Sequence, residues 1–347
     1  MANQEAPGSS EEDRILPVVF ILLDVCIIIG NAFILFVVIK NWKTIRLQRK
    51  NRAAHLLTVN LCSADLLLAA IDIYYMLALY VPDLAAYLIH HKIPCLITLT
   101  SYITAHMASG FTLVAIAVER YIYIVHGIRY SKIMDSGRIL LMLSIVWLAA
   151  IFGTLPLYIW NNWDKSEGLC HAVNIIPRTY SMIATVGRIL FIIIAITILH
   201  CRIHRKALQI HERRGPLRAM AVLRTKSARV VLIITIAYVI SWLPYLVVFS
   251  CKRFDVDVPP LLFKFAECLI TLNYLVNPFI YAFHNRPIQH AIMKTLKSCK
   301  NMHDENEMKS RENENSFKGV SCTSSSRNFS PTSSRHISKT EPGESKG

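Results

Sequence analysis

Apolar positions in this chain run in seven long blocks between about Pro17 and Phe283, separated by short polar links. A helix needs about 20 apolar residues to cross the hydrocarbon core of a bilayer. Backbone N–H and C=O groups in lipid must bond within their own segment, so blocks of this length predict helices. The expected starts are near Pro17, Ala53, Cys95, Gly137, Thr179, Ala228 and Pro260. The pattern predicts an all-α membrane protein, a seven-transmembrane helix bundle over residues 17–284. A short amphipathic membrane-surface helix is expected at 285–300 and a Ser-rich, disordered cytoplasmic tail at 301–347. Residues 1–16 form an acidic start with no basic n-region, so span one is expected to act as its own insertion signal.

Charge gives the orientation. The formal net charge is +15, but the basic residues gather in the links after spans one, three and five. Lys40, Lys43, Arg46, Lys50 and Arg52 mark the first, Arg129, Lys132 and Arg138 the second, and Arg202 to Arg224 the third. The alternate links mix signs, as in Asp164, Lys165 and Glu167. The positive-inside rule places the first set in the cytoplasm, the N-terminus outside and the C-terminus inside, in a multi-pass plasma-membrane protein. A basic balance distributed in this way argues for membrane topology and against nucleic acid. Hydrophobic residues make up 53% of 347, more than a soluble domain of ordinary usage carries.

Nine cysteines do not form a paired framework. Cys26, Cys62, Cys201 and Cys268 fall in or beside apolar blocks and read as small hydrophobes. Cys95 and Cys170 lie on the outer, oxidising side, where a bridge would pin the link between spans four and five across the mouth of the bundle. Cys299, just past a basic amphipathic stretch, is a candidate for palmitoylation. The sequon at Asn328 is on the wrong side of the membrane for glycosylation under this topology.

Short motifs recur in order along the spans: Gly30-Asn31, Asn60 to Asp65, Glu119-Arg120-Tyr121, Trp147, Ser241-Trp242-Leu243-Pro244 and Asn277-Pro278-Phe279-Ile280-Tyr281. Together they resemble the rhodopsin-like (class A) G-protein-coupled receptors over residues 17 to about 300. The stretch Glu119 to Lys132 is most similar to the melanocortin, lipid and adenosine receptor group, as is a span five without proline. No subfamily fits residue by residue. Tyr102 stands where amine receptors carry an aspartate, and Thr271 where opsins carry their retinal lysine.

The resemblance implies a receptor that turns binding of an extracellular ligand into activation of a heterotrimeric G protein by outward movement of span six. Arrestin and receptor kinases are expected on the tail, from Ser321 to Thr340. It also implies a sodium ion held by Asp65, Ser109, Asn273 and Asn277; no other cofactor is expected. A mid-membrane carboxylate is costly, so Asp65 should face the bundle interior in any case. Glu119, Arg120 and Tyr121, with Tyr238, Trp242, Pro244, Asn277, Pro278 and Tyr281, are the expected coupling and switch residues. Arg224 replaces the glutamate that many members place near the inner end of span six.

Ionisable groups inside the outer halves of spans mark a ligand path or an internal pair. Tyr102, His106, Arg188, Trp242, Lys264 and Glu267 are the candidate ligand-binding residues. An anionic ligand would use Arg188 or Lys264, whereas a short peptide would use the mixed-charge outer loops. A polytopic transporter is the alternative, but no internal repeat is visible. An enzyme is not expected: His55, His90, His91 and His106 lack metal-ligand spacing.

Overall fold

The computed structural model describes residues 11–43, 52–78, 81–127, 129–165, 170, 172–213, 218–284 and 286–321. The long helices are α1 (Glu11–Lys40), α2 (Arg52–Ala78), α3 (Lys92–Val125), α4 (Ser136–Thr154), α5 (Arg188–Arg213), α6 (Arg218–Arg253), α7 (Pro260–His284) and α8 (Arg286–Ser321). Among the described residues, six segments, ending with Thr235–Arg253 in α6, are long and apolar enough to cross a membrane. The seventh helix, α7, packs between α6 and α1 and carries Lys264 and Glu267 near its start.

Helices α1 and α2 pack together, α2 on α3, α5 on α6 and α6 on α7, and α7 returns to α1. This closes a ring around α3, which touches α2, α4, α5 and α6. Burial follows the same geometry. The apolar window of α3 is 56% buried, whereas that of α4 is 22% buried and turns most of its Leu, Ile and Phe side chains outward. An outer face this apolar is what a bilayer, acting as the solvent, requires. Cys62 is buried as expected, but Cys26 and Cys201 lie on that outward face rather than in the core.

Polar side chains tie the helices where the backbone needs them. Proline at 278 has no N–H, so the Tyr274 carbonyl one turn earlier loses its helical donor. Asn31 reaches across from α1 to that carbonyl at 3.5 Å. The helices meet closely here, and Gly30 is the reason: a Cβ on it would stand 3.1 Å from the Pro278 ring. On the other side, Trp147 Nε1 donates to Asn60 Oδ1 at 2.8 Å and Asn60 donates to Thr112 Oγ1 at 2.7 Å, linking α4, α2 and α3.

Cys95 and Cys170 are bonded, with Cα atoms 5.8 Å apart. The bridge packs with Leu96, Leu99, Ile175 and Trp163, and Tyr75 of α2 donates to the Cys170 carbonyl at 3.2 Å.

Three boundaries differ from the sequence expectation. Helix α1 begins at Glu11, so Pro17 lies inside it and removes one bond of its backbone ladder. Helix α6 begins at Arg218, its charged inner turns being good helix formers. Helix α8 continues to Ser321 instead of stopping near Lys300, and its extension carries the i,i+4 pair Glu305–Lys309 at 3.3 Å. The chain divides into two units at Thr295 and Leu296, and the ring of helices belongs entirely to the first. The side chain of Cys299 and the tail beyond Ser321 lie outside the described residues.

Candidate functional site

Four helices bring aromatic and basic side chains together in the middle of the bundle. Helix α3 supplies Tyr102 and His106, whose rings meet edge-on with centroids 4.4 Å apart. The same His106 hydrogen-bonds through Nδ1 to the Tyr274 hydroxyl of α7 and stands edge-on to Trp242 of α6 at 5.7 Å. Trp242 stacks on Tyr238 one turn further in, with centroids 5.6 Å apart, and meets Tyr245 edge-on at 6.1 Å. Tyr245 continues the stack outward to Phe249 at 5.4 Å. Of these rings only His106 and Tyr274 are joined by a hydrogen bond; the others meet through stacked and edge-on ring contacts.

Arg188 closes the group from α5. Its Cζ lies 5.3 Å from the Trp242 ring centroid, and the residue is 8% exposed. The segment Met182–Gly187 just before it is wound as a π-turn. A residue added to a turn rotates the rest of the helix by about 100°, so the π-turn resets which side of α5 faces inward. Arg188 shares that buried side with Ile189, Ile192 and Ile196.

Lys264 and Glu267 go elsewhere. They pair with each other along α7 at 3.9 Å, with Lys264 about half exposed, and so occupy the rim rather than the centre. Asp24 of α1 and Asp72 of α2 are both buried.

Further in, Asp65 is fully buried. Ser109 donates to its Oδ1 at 2.7 Å and Asn277 to its Oδ2 at 2.9 Å. Asn273 is buried one turn before Asn277 along α7, and its amide nitrogen has no partner. These residues fit a small hard cation: the carboxylate is opposed only by neutral donors, and the neighbouring side chains offer oxygen.

At the inner end of α3, Glu119 is fully buried and takes donors from two directions. Arg120 donates through Nε, and through Nη2 at 2.9 Å. The Tyr130 hydroxyl, from the short helix Tyr130–Ile133, donates to the same carboxylate. Burial, and then the Glu119 carboxylate, push the Tyr130 phenol well above its usual range, so it stays a neutral O–H donor. The guanidinium also lies 5.3 Å from the Tyr123 ring centroid. Side chains of Arg224 and Tyr281 lie outside the described residues.

Of the expected residues, Ser109 and Asn277 are hydrogen-bonded to Asp65, Glu119 is bonded to Arg120, and Trp242 lies in the ring cluster. Tyr130, Tyr274 and Tyr245 join the site without belonging to any motif. Of these, Tyr274 does carry a signal, because a mid-membrane tyrosine and a mid-membrane histidine each need a polar partner.

The profile of the 7 transmembrane receptor (rhodopsin family) matches residues 30–281. The human 5-hydroxytryptamine receptor 1D is 27% identical, over 81% of this chain and 88% of its own length. The rat galanin receptor type 1 is 26% identical over 84% of each chain. The human sphingosine 1-phosphate receptor 2 is 29% identical, over 55% of this chain and 53% of its own. Three relatives named for three different ligands stand at similar identity, so similarity alone does not single out a ligand.

Proposed function

We propose a route for the signal through a chain that belongs to the rhodopsin family of seven-transmembrane receptors and is a G-protein-coupled receptor. An extracellular ligand enters among α3, α5, α6 and α7 and displaces the ring cluster at His106, Arg188 and Trp242. Trp242 passes the shift to Tyr238, and α6 swings outward about the bend at Pro244. Opening the inner end frees Arg120 from Glu119 and admits a heterotrimeric G protein. The observation that carries this reading is the unbroken chain of ring contacts from Tyr102 through His106 and Trp242 to Tyr238. In this reading α7 crosses the bilayer as the seventh span, the N-terminus lies outside the plasma membrane, and an amphipathic stretch up to residue 300 meets the inner membrane surface with Cys299 lipidated. Receptor kinases and arrestin act on the tail.

Guanine-nucleotide exchange on added G proteins, in membranes carrying the full-length chain, tests the reading. Exchange above that of empty membranes is expected. Its absence across all G-protein classes would overturn the proposed route.

The sodium reading makes its own prediction. Asp65 and Ser109, with the amide oxygens of Asn273 and Asn277, would hold the ion only in the inactive packing. A ligand of one state shifts the population toward that state. Replacing potassium by sodium at constant ionic strength should therefore lower basal exchange several-fold, and Asp65→Asn should erase the difference. Equal exchange in both salts for the unmodified chain would remove the ion from the scheme.

A further inference from the structure

The donors around Trp242 outnumber the acceptors. A guanidinium carries five N–H donors and no acceptor, and an indole N–H is a donor only. Arg188 Nε and Nη1, Trp242 Nε1 and the Tyr238 hydroxyl are all buried, and each is without a hydrogen-bond partner. Tyr238 and Trp242 are each 2% exposed. Arg188 sits over one face of the Trp242 ring and Tyr238 is stacked against it, so the unpartnered donors share one neighbourhood.

Acids that could satisfy them are engaged elsewhere. Asp65 is bonded to Ser109 and Asn277, Glu119 to Arg120 and Tyr130, and Glu267 to Lys264. Among the described residues, no carboxylate lies within ion-pair distance of Arg188. A buried charge is costly unless paired, so a guanidinium held without a partner implies one that arrives. Helix α3 packs closely against the hydroxyl through a glycine. A Cβ on Gly110 would lie 2.7 Å from Ile192 Cδ1 and 3.4 Å from the Tyr238 oxygen, so a larger residue there would force its neighbours to move. Ile189, Ile192 and Leu246 belong to the same buried apolar cluster as Tyr238 and Trp242.

We propose that Arg188, Tyr238 and Trp242 form an acceptor site for the oxyanion head of a ligand whose body is apolar. This rests on the reading that the ligand enters among α3, α5, α6 and α7, and it names the chemistry of that ligand. A carboxylate and a phosphate monoester share the head. A cationic head is excluded, because it would meet Arg188 without a counter-charge.

Thermal unfolding of the purified full-length receptor in lipid nanodiscs tests it, with decanoate, decyl phosphate and decanol as probes. Without any probe, Arg188→Met should melt higher than the unmodified chain, by roughly 3 °C or more, because an unpaired buried charge has gone. With probe, either oxyanion should raise the melting temperature of the unmodified chain, and decanol should not. The apparent affinity of the effective oxyanion should fall at least about 30-fold in Arg188→Met and about 3- to 10-fold in Tyr238→Phe. Arg188→Lys should retain most of the effect, which guards against misfolding of the methionine variant. Stabilisation by only one of the two heads identifies the source.

Three results would overturn the site: a ligand-free Arg188→Met that melts below the unmodified chain, oxyanion stabilisation equal in both proteins, or an equal effect of decanol or of chloride alone. Basal exchange of the unmodified chain is measured without probe. A negative oxyanion result therefore leaves the receptor reading standing, and absent exchange leaves the binding result standing.

Discussion

Glu119→Gln should raise ligand-independent nucleotide exchange about 10-fold or more at equal surface expression, and Arg120→Ala should abolish exchange altogether. The Glu119 carboxylate has no exposure to solvent and receives both Arg120 and the Tyr130 hydroxyl. Hydrogen bonds to a charged group contribute about 1.5–3 kcal/mol, and a glutamine keeps the shape while losing the charge. That energy corresponds to a factor of about 10–150 in the equilibrium between held and released arginine. A minor active state of about 0.1–10% would then rise to between about 1% and about 90% of the receptor. Arg120→Ala acts in the opposite direction, since the fork of donors offered to the G protein is gone. Tyr130→Phe removes one neutral donor and should raise exchange only a few-fold. A Glu119→Gln receptor with unchanged basal exchange would show that contacts beyond α3 hold the inner end closed.

The tyrosine in that clamp shows where sequence reasoning stops. Hydrophobic blocks fix where helices lie along the chain, and α2, α4 and α7 begin within one residue of the positions that composition suggests. Motifs also predict which polar residues meet inside the bundle, because a carboxylate in lipid has few tolerable partners. Asp65 with Ser109 and Asn277 is legible for that reason. Tyr130 is not, because it lies in a link, where no periodicity says which way a side chain turns. Arg188 falls between these cases. Its cost in a membrane marks it as functional, yet its neighbours depend on the π-turn at Met182–Gly187, and no proline or glycine pair announces that turn inside the span. Lys264, equally conspicuous in sequence, pairs with Glu267 at the rim. Composition hides the extension of α8 to Ser321, since a polar run rich in Glu, Lys and Asn reads as unstructured until its i,i+4 pairing is considered.

Loss of the outer bridge should be the most costly single covalent change. Cys95 and Cys170 are 75 residues apart in sequence, and in the chain-entropy model cross-linking a loop of that length contributes about 4 kcal/mol. The contribution comes from the unfolded chain, which the bridge deprives of conformations. The folded side adds local order: the Cys170 backbone accepts from Tyr75, and Trp163 and Ile175 pack on the bridge. Cys95→Ser combined with Cys170→Ser should therefore lower the melting temperature of the purified receptor by roughly 10 °C. Each single variant should fall at least as far as the double, because one cysteine without its partner contributes none of the constraint. Unfolding of a membrane receptor is seldom reversible, so inactivation half-lives at one temperature should be compared alongside the melting scans. The loss should also reach the ligand. The segment that the bridge holds is tied to Tyr75 of α2 and Cys95 of α3, and on the proposed ligand route its release should change ligand affinity. A double variant melting within about 1 °C of the unmodified chain would mean that Tyr75 and the apolar packing around Ile175 order the lid by themselves.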